Sequence, residues 1–331
     1  MTPEEALEHA AEGGIHRLRI PTPFAVGRVN CYLIEDEPLT LVDTGPNSGK
    51  ALDELQSQLA ARGHSIDDLE LVVITHQHID HLGLVEIIAR HSGAEVAALD
   101  AAVTRLANFS DDAERDDEFS AELMLRNGVP ENVVIALQGV SRAFRAWGSH
   151  ANVTRPLADG ETLELRDRRL EVMHRPGHSP SDTVFWDPER CILIAADHLL
   201  PTISSNPLIS RPLDGSGERT QALVSYMDSL RKTRDLPAEI VLPGHGDPIT
   251  DHVALIDERL LKTERRKHKI LDLVRERPKT GHEIAQELWG NVAVTQAFLT
   301  LSEVIGHLDL LANEGLVREK EHDQVVLYEA A

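Results

Sequence analysis

Two cysteines in 331 residues, Cys31 and Cys191, are too few for a disulfide framework. Each lies in an apolar strand-like run, so both are expected to be buried as small hydrophobes. Aromatic residues make up only 4% of the chain, which leaves little material for platforms on which nucleobases stack. No apolar run reaches the length needed to cross a bilayer. The N-terminus, Met1-Thr2-Pro3-Glu4-Glu5, lacks the basic start and apolar middle of a secretory signal, and the cytoplasm is the expected location. Positive charge is scarce as well: 33 Lys+Arg stand against 55 Asp+Glu, a formal charge of −22. Long-range electrostatics therefore oppose polyanionic partners unless a local patch reverses the sign.

What is present has the profile of a globular protein, with 41% hydrophobic and 27% charged residues. The length exceeds what one compact core usually holds, so two domains are expected, residues 1–250 and 251–331. In the first, short apolar runs alternate with helical patterns. Strands are expected at Ile15–Ile20, Val29–Ile34, Leu39–Val42, Leu71–Thr75, Glu95–Leu99, Thr162–Leu165, Leu170–His174, Thr183–Trp186, Cys191–Ala196 and Glu239–Leu242. Helices are expected at the N-terminus, with Thr2 as cap and Pro3 at the first position, at 48–62 closed by Gly63, at 82–91 and at 218–232. Strands interleaved with helices predict an α/β layered domain. Residues 100–150 interrupt the alternation and read as a helical insertion. The irregular stretch Leu200–Glu218 follows a candidate site residue and is placed to shape a pocket. Beyond 251, helices at about 252–276, 282–288 and 298–313 precede strands at Leu316–Lys320 and Val325–Glu329, which is the winged-helix pattern.

Chemistry concentrates in Thr75-His76-Gln77-His78-Ile79-Asp80-His81. A buried strand, Leu71-Val72-Val73-Ile74, delivers its C-terminal end to this cluster, the place where ligand sites collect in open α/β sheets. His76 and His78 are one residue apart, so extended backbone turns both to the same side. Asp80 and His81 then sit at the mouth of the helix expected from Leu82, and Gly83 lets the chain turn closely. Single histidines are usually structural, but four ligand-type side chains in six residues are hard to account for as packing. Three further segments end predicted strands in the same way: Arg175-Pro176-Gly177-His178-Ser179, Ala195-Ala196-Asp197-His198 and Leu242-Pro243-Gly244-His245-Gly246-Asp247. His198 is left open between a substrate contact and a structural role. His174 alternates with apolar strand residues and, like His150, reads as structural.

With these residues in view, the chain resembles the metallo-β-lactamase superfamily. Thr75–His81 matches its His-x-His-x-Asp-His signature, His178, Asp197 and His245 follow in the expected order, and Leu41-Val42-Asp43-Thr44-Gly45 matches a further motif. The resemblance covers residues 14–250 and implies an αββα sandwich, here with a small C-terminal winged-helix domain. It implies one metal held by His76, His78 and His178, a second held by Asp80, His81 and His245, and Asp197 bridging them. Asp43, with Thr75, would orient the ligands from behind. Nitrogen and carboxylate ligands without thiolate suit two Zn²⁺ ions, with Fe or Mn as alternatives. Two ions about 3.5–4 Å apart would share a water, lower its pKa and aim it at a carbonyl or phosphoryl centre. Asp80 and Asp197 are the candidate catalytic carboxylates.

The bridging carboxylate points away from a true β-lactamase and toward the glyoxalase II-like branch, whose members cleave thioesters and whose relatives open lactones or cut phosphodiesters. The tail resembles the extension of a subgroup that includes endoribonucleases. Charge weighs against RNA, although residues 259–279 hold nine basic and three acidic side chains. That stretch reads as a solvated helix face opposite Leu260, Leu261, Ile270, Leu271 and Val274, with a local anion site as the alternative. The expected activity is therefore hydrolysis of a small ester, thioester or lactone. Metal-dependent phosphodiester or RNA cleavage is the first alternative; iron-dependent persulfide oxidation and nucleic-acid binding by the tail follow. A small-molecule partner is expected, with no membrane partner, and a homo-oligomer is left open.

Overall fold

The computed structural model describes residues 1–216 and 219–331. Two sheets carry the N-terminal three quarters of the chain. The first has six strands in sequence order: β1 (Ile15–Ile20), β2 (Val29–Ile34), β3 (Thr40–Val42), β4 (Leu71–Val73), β5 (Glu95–Leu99) and β6 (Arg155–Leu157). The β1–β2–β3 ladders are antiparallel and β3 to β6 run parallel. The second sheet has the order β11-β10-β9-β8-β7, formed by β7 (Thr162–Glu164), β8 (Arg169–His174), β9 (Thr183–Asp187), β10 (Ile192–Ala196) and β11 (Ile240–Pro243). Only its β10–β11 pair is parallel.

The faces of these strands explain the layering. Tyr32, Ile34, Val42, Leu71 and Val73 of the first sheet meet Leu170, Val172, Phe185, Ile194 and Leu242 of the second in one apolar layer. On the outer face of the first sheet, Cys31, Leu33, Leu41 and Val72 pack against helices α2 (Gly49–Ala60) and α4 (Val85–Ser92). On the outer face of the second, Val184, Trp186, Leu193 and Val241 pack against α8 (Ala222–Arg234) through Leu223, Tyr226, Met227 and Leu230. Strands buried on both faces read as continuous apolar runs, which is why β2 to β5 are so legible in the sequence. The result is the expected αββα sandwich. The N-terminal helix α1 (Pro3–Glu12) carries the anticipated capping box between Thr2 and Glu5.

Several local expectations need correction. The helix expected at 82–91 is two helices, α3 (Ile79–Leu82) and α4, so Asp80 and His81 lie inside α3 rather than at the mouth of a later helix. Gly83 is not there for conformational freedom, since its backbone is ordinary right-handed helix. A Cβ at this position would meet the Asn47 nitrogen at 2.2 Å and the Trp147 carbonyl oxygen at 2.4 Å, so closeness of chain segments is what demands glycine. Helix α2 ends at Ala60, before the predicted 62. The helix expected from 218 begins at Ala222, and Gly217 and Glu218 lie outside the described residues. Cys31 is buried in β2, but Cys191 is half-buried in the turn before β10, at φ +53°.

Residues 103–144 form three helices, α5 (Val103–Ala107), α6 (Phe109–Arg126) and α7 (Glu131–Phe144). The chain ends in α9 (His252–Glu276), α10 (Gly281–Trp289), α11 (Val292–Thr295), α12 (Ala297–Asn313) and the hairpin β12 (Val317–His322) with β13 (Val325–Ala330). These last elements share an apolar centre that includes Ile270, Val274, Ile284, Val304, Leu308 and Tyr328. Helix α12 also joins Met124 and Val134 of the insertion and Ile209 of the long loop in a separate cluster, through Leu301 and Ile305. No helix among the described residues is long and apolar enough to cross a membrane.

Candidate metal centre

The seven side chains singled out in the sequence converge at one end of the sandwich. The first sheet supplies His76 and His78 just beyond β4, and Asp80 and His81 from α3. The second supplies His178 after β8, Asp197 after β10 and His245 after β11. Three groupings result: His76 with His78 and His178, His76 with His81 and Asp197, and Asp80 with His81 and His245. Within each, the ligand atoms lie within 4.8 Å of one another. His78 Nδ1 lies 3.1 Å from His76 Nε2 and 2.8 Å from His178 Nε2. Asp197 spans the cluster, with Oδ2 3.5 Å from His178 Nε2 and 3.6 Å from His245 Nε2, and Oδ1 3.5 Å from His81 Nε2. Asp80 Oδ2 lies 3.3 Å from His245 Nε2. His76, Asp80, His81, Asp197 and His245 are buried, whereas His78 and His178 are half-buried, so the cluster opens on their side.

Local backbone makes this possible. The β4 ladder stops at Val73, and Thr75 N donates to Asp43 Oδ1 at 3.0 Å instead of continuing it. Asp43 adopts φ +58°, an uncommon conformation for a non-glycine residue. Its carboxylate takes the Thr75 hydroxyl at 2.8 Å and His81 Nδ1 at 2.7 Å. Thr75 Oγ1 also lies 3.0 Å from His76 Nδ1. Asp43 and Thr75 thus fix two imidazoles from behind, as expected for groups that set ring orientation. Two other rings are fixed by backbone carbonyls: His245 Nδ1 by Arg28 at 2.9 Å, and His178 Nδ1 by Ser205. Ser205 and Arg28 were not foreseen, because a backbone carbonyl leaves no trace in residue identity. Gly244 allows β11 to pass close by, since a Cβ there would meet Asp197 Oδ1 at 2.1 Å.

The electrostatics favour a cation. Burial lowers the His76 pKa well below the ordinary histidine value, helped by His81 and His78, and brings His78 down to about 3 with help from His178. Burial also opposes charge on His81, yet Asp197, Asp43 and Asp80 outweigh it and raise its pKa well above 6.5. His245 is raised likewise: burial is overcome by Asp197 and Asp80. Burial pushes the carboxyls of Asp197 and Asp80 upward, but neighbouring histidines, His81 first among them, hold both below the usual range. Protons on His81 and His245 answer the same carboxylates that a metal ion would. Even so, His81 Nε2 and Asp197 Oδ1 are buried without a hydrogen-bond partner. Buried polar atoms of this kind call for a ligand, and donors of this chemistry fit divalent metal.

The remaining histidines fall outside the cluster. His198, left open above, is buried with Nε2 2.8 Å from Thr233 Oγ1 on α8, and burial lowers its pKa to about 3; it is a core residue. His174 Nε2 lies 2.8 Å from the Pro180 carbonyl oxygen, and His150 is exposed, 3.5 Å from Glu86. Beside the His178 turn lies a cavity of about 420 Å³ whose wall includes Pro176, Leu208, Pro212 and Leu213.

The comparisons with known proteins agree with this geometry. Residues 25–245 match the family model of the metallo-beta-lactamase superfamily. The chain is 35% identical over 302 residues to the probable metallo-hydrolase YqjP of Bacillus subtilis, covering 90% of this chain and 92% of that protein. It is 28% identical over 236 residues to the acyl-coenzyme A thioesterase MBLAC2 of Bos taurus, covering 66% of this chain and 73% of that one. Among solved structures, the metallo-beta-lactamase family protein TTHA1429 of Thermus thermophilus aligns with a TM-score of 0.81 at 28% identity, over 96% of this chain and 99% of that chain.

Proposed function

This chain belongs to the metallo-β-lactamase superfamily, and from that premise we propose that it is a two-metal hydrolase acting on a small ester, thioester or lactone, with acyl thioesters as the leading class. His76, His78 and His178 would hold one ion, Asp80, His81 and His245 the other, and Asp197 would reach both; Zn²⁺ is the ion best suited to these donors. When bound, such a pair supplies a nucleophile at neutral pH and neutralises the charge that develops on the substrate. The chain's own contribution is orientation and burial. Asp43 and Thr75 hold His81 and His76, while the carbonyls of Arg28 and Ser205 hold His245 and His178. Asp80 and Asp197 keep their negative charge beside the reacting space, as ligands to a divalent cation must.

The observation that carries this reading is the convergence of seven histidine and aspartate side chains with His81 Nε2 and Asp197 Oδ1 left without a hydrogen-bond partner. The apolar walls beside the His178 turn suit an acyl group. The acyl-coenzyme A thioesterase among the relatives supports the same class, as does the single carboxylate spanning the cluster, which favours the glyoxalase II-like branch. We read residues 251–331 as a winged-helix-like unit that braces the catalytic part. Arg259 donates to the carbonyls of Leu200 and Ile203, the Ile209 amide donates to Ser302, and Arg219 forms a bidentate pair with Asp309. The test is turnover by protein loaded with zinc across thioesters, lactones, β-lactams, phosphodiesters and short RNA. Thioester or lactone hydrolysis that is lost on chelation and restored by Zn²⁺ is expected. Cleavage of phosphodiesters alone would overturn the substrate assignment.

A further inference from the structure

In a chain with 22 more acidic than basic groups, one cavity reverses the balance. It is an open cleft of about 440 Å³, the size of a small-ligand site, where the edge strand β1 runs between α1 and α2. Arg17, Arg19, Arg28 and Arg62 line it together with His16, against the single carboxylate of Glu54. Existing ion pairs account for part of this charge. Arg17 lies 3.0 Å from Asp247, Arg28 lies 3.6 Å from Glu54, and His16 lies 2.9 Å from Glu35. Arg19 and Arg62 have no carboxylate within ion-pair distance among the described residues. His16 Nδ1 is buried without a hydrogen-bond partner.

This cavity is joined to the metal centre by backbone. The Arg28 carbonyl fixes the His245 ring, and Arg17 Nη1 donates to the Gly246 carbonyl at 3.1 Å. Guanidinium groups are the side chains of choice for phosphoryl oxygens, because their planar donors match the oxygens in pairs. An acidic protein that must admit a phosphorylated substrate has to offset its own field locally.

We propose that the cavity is a phosphate-binding subsite that takes the phosphorylated handle of the substrate, and that the thioesters cleaved at the metal centre are therefore those of a coenzyme A-type carrier. This rests on the hydrolase reading given above. In the reaction, water adds to the acyl carbon and the C–S bond breaks, giving a carboxylic acid and a thiol, while the phosphates remain unchanged as a recognition element.

The experiment uses the full chain and has a binding arm and a kinetic arm. Adenosine 3′,5′-bisphosphate and inorganic phosphate are titrated calorimetrically into the protein and into its Arg19→Glu and Arg62→Glu variants, whose exposed side chains leave the core untouched. The bisphosphate should bind the parent protein and weaken by about tenfold or more in each variant, as expected for loss of a charged contact. The kinetic arm compares butyryl-coenzyme A with butyryl-N-acetylcysteamine, which carries the same acyl thioester without phosphate. The variants should raise KM for the first by a similar factor, leaving its kcat and both constants for the second unchanged. Equal bisphosphate binding by parent and variants would overturn the subsite. Inorganic phosphate bound as tightly as the bisphosphate, with no difference between the two thioesters, would overturn its assignment to a substrate handle. Arginine-dependent bisphosphate binding in a protein that hydrolyses no thioester would leave the phosphate subsite standing and remove the thioesterase reading instead.

Discussion

The His76–His81 run and the basic stretch of α9 are both local concentrations of polar side chains, yet the fold treats them in opposite ways. In α9, Lys267 pairs with Glu264 and Glu314, Arg275 with Asp272, and Lys262 with Glu258. Just beyond the helix, Arg277 and Lys279 pair with Glu283, Glu276 and Glu287. Arg266 lies over the Trp289 ring, 4.8 Å from its centroid, and Arg259 is taken up by two loop carbonyls. Around His81, the polar atoms are brought together from two sheets, and His81 Nε2 and Asp197 Oδ1, 3.5 Å apart, still lack a hydrogen-bond partner. Charge density in sequence therefore does not define a site. Ligand-type side chains gathered from two sheets around one space do, because a buried polar atom left without a partner costs about 1–3 kcal/mol that a bound ion can offset.

The largest effect should come from removing one of the candidate ligands. Asp197→Ala or His78→Ala is expected to abolish metal loading and turnover while circular dichroism still reports a folded chain. Full activity in a variant whose metal content is near zero would break the contrast outright. Asp43→Asn should be next. It weakens the hold on Thr75 and His81, and metal affinity measured by chelator competition should fall by roughly 10–100-fold, the usual cost of losing such a support.

Proton release gives a third measurement. His81 and His245 hold protons above the ordinary histidine range in the absence of metal, so zinc uptake must expel them. Affinity should rise with pH until it passes their folded-state values, with acid appearing in weakly buffered solution when zinc is added. The same shift stabilises the metal-free chain. A raised histidine pKa contributes stability that is complete below about 6.5 and is lost as pH rises through the folded value. The depressed Asp80 and Asp197 contribute stability that is lost as pH falls through their folded values. Metal-free melting temperature should therefore peak on the mildly acidic side of neutrality, and a peak well above pH 8 would contradict the charge arrangement.

Smaller effects belong to the satisfied region. Arg219→Ala breaks the bidentate contact with Asp309 and should cost about 1–3 kcal/mol in denaturant unfolding, typical of a hydrogen-bonded charged pair. Arg265→Ala with Lys269→Ala should leave melting temperature and turnover unchanged. A large loss of turnover from this last pair would mean that α9 is part of the site after all.

Much of this arrangement was legible in residue identity, for definable reasons. Double-sided burial writes β2, β4, β5 and β10 as apolar runs, and metal-ligand chemistry allows few residue types, so His76, His78, Asp80, His81, His178, Asp197 and His245 stood out and the fold brings them together. The strand β6 escaped notice because it is three residues long and carries Pro156, tolerable only at the sheet edge it occupies. Leu261, expected on the apolar face of α9, is half-exposed, while the adjacent Leu260 takes the place against the outer cluster of the second sheet. Cys191, expected to be buried in a strand, sits in the turn one residue before β10, and His198 was left open because it adjoins Asp197 in sequence. The arginine cavity was invisible, because its four guanidinium groups come from positions 17 to 62 and meet only when β1, β2 and α2 are packed.

Each of the three ligand groupings draws on both sheets, and this has a consequence during synthesis. The nascent chain exposes His76, His78, Asp80 and His81 long before it makes their partners. The first grouping is complete only when His178 emerges, the second at Asp197, and the third at His245. A ribosome-bound fragment ending before residue 178 therefore contains none of the three groupings in full, and one must reach His245 to contain all three.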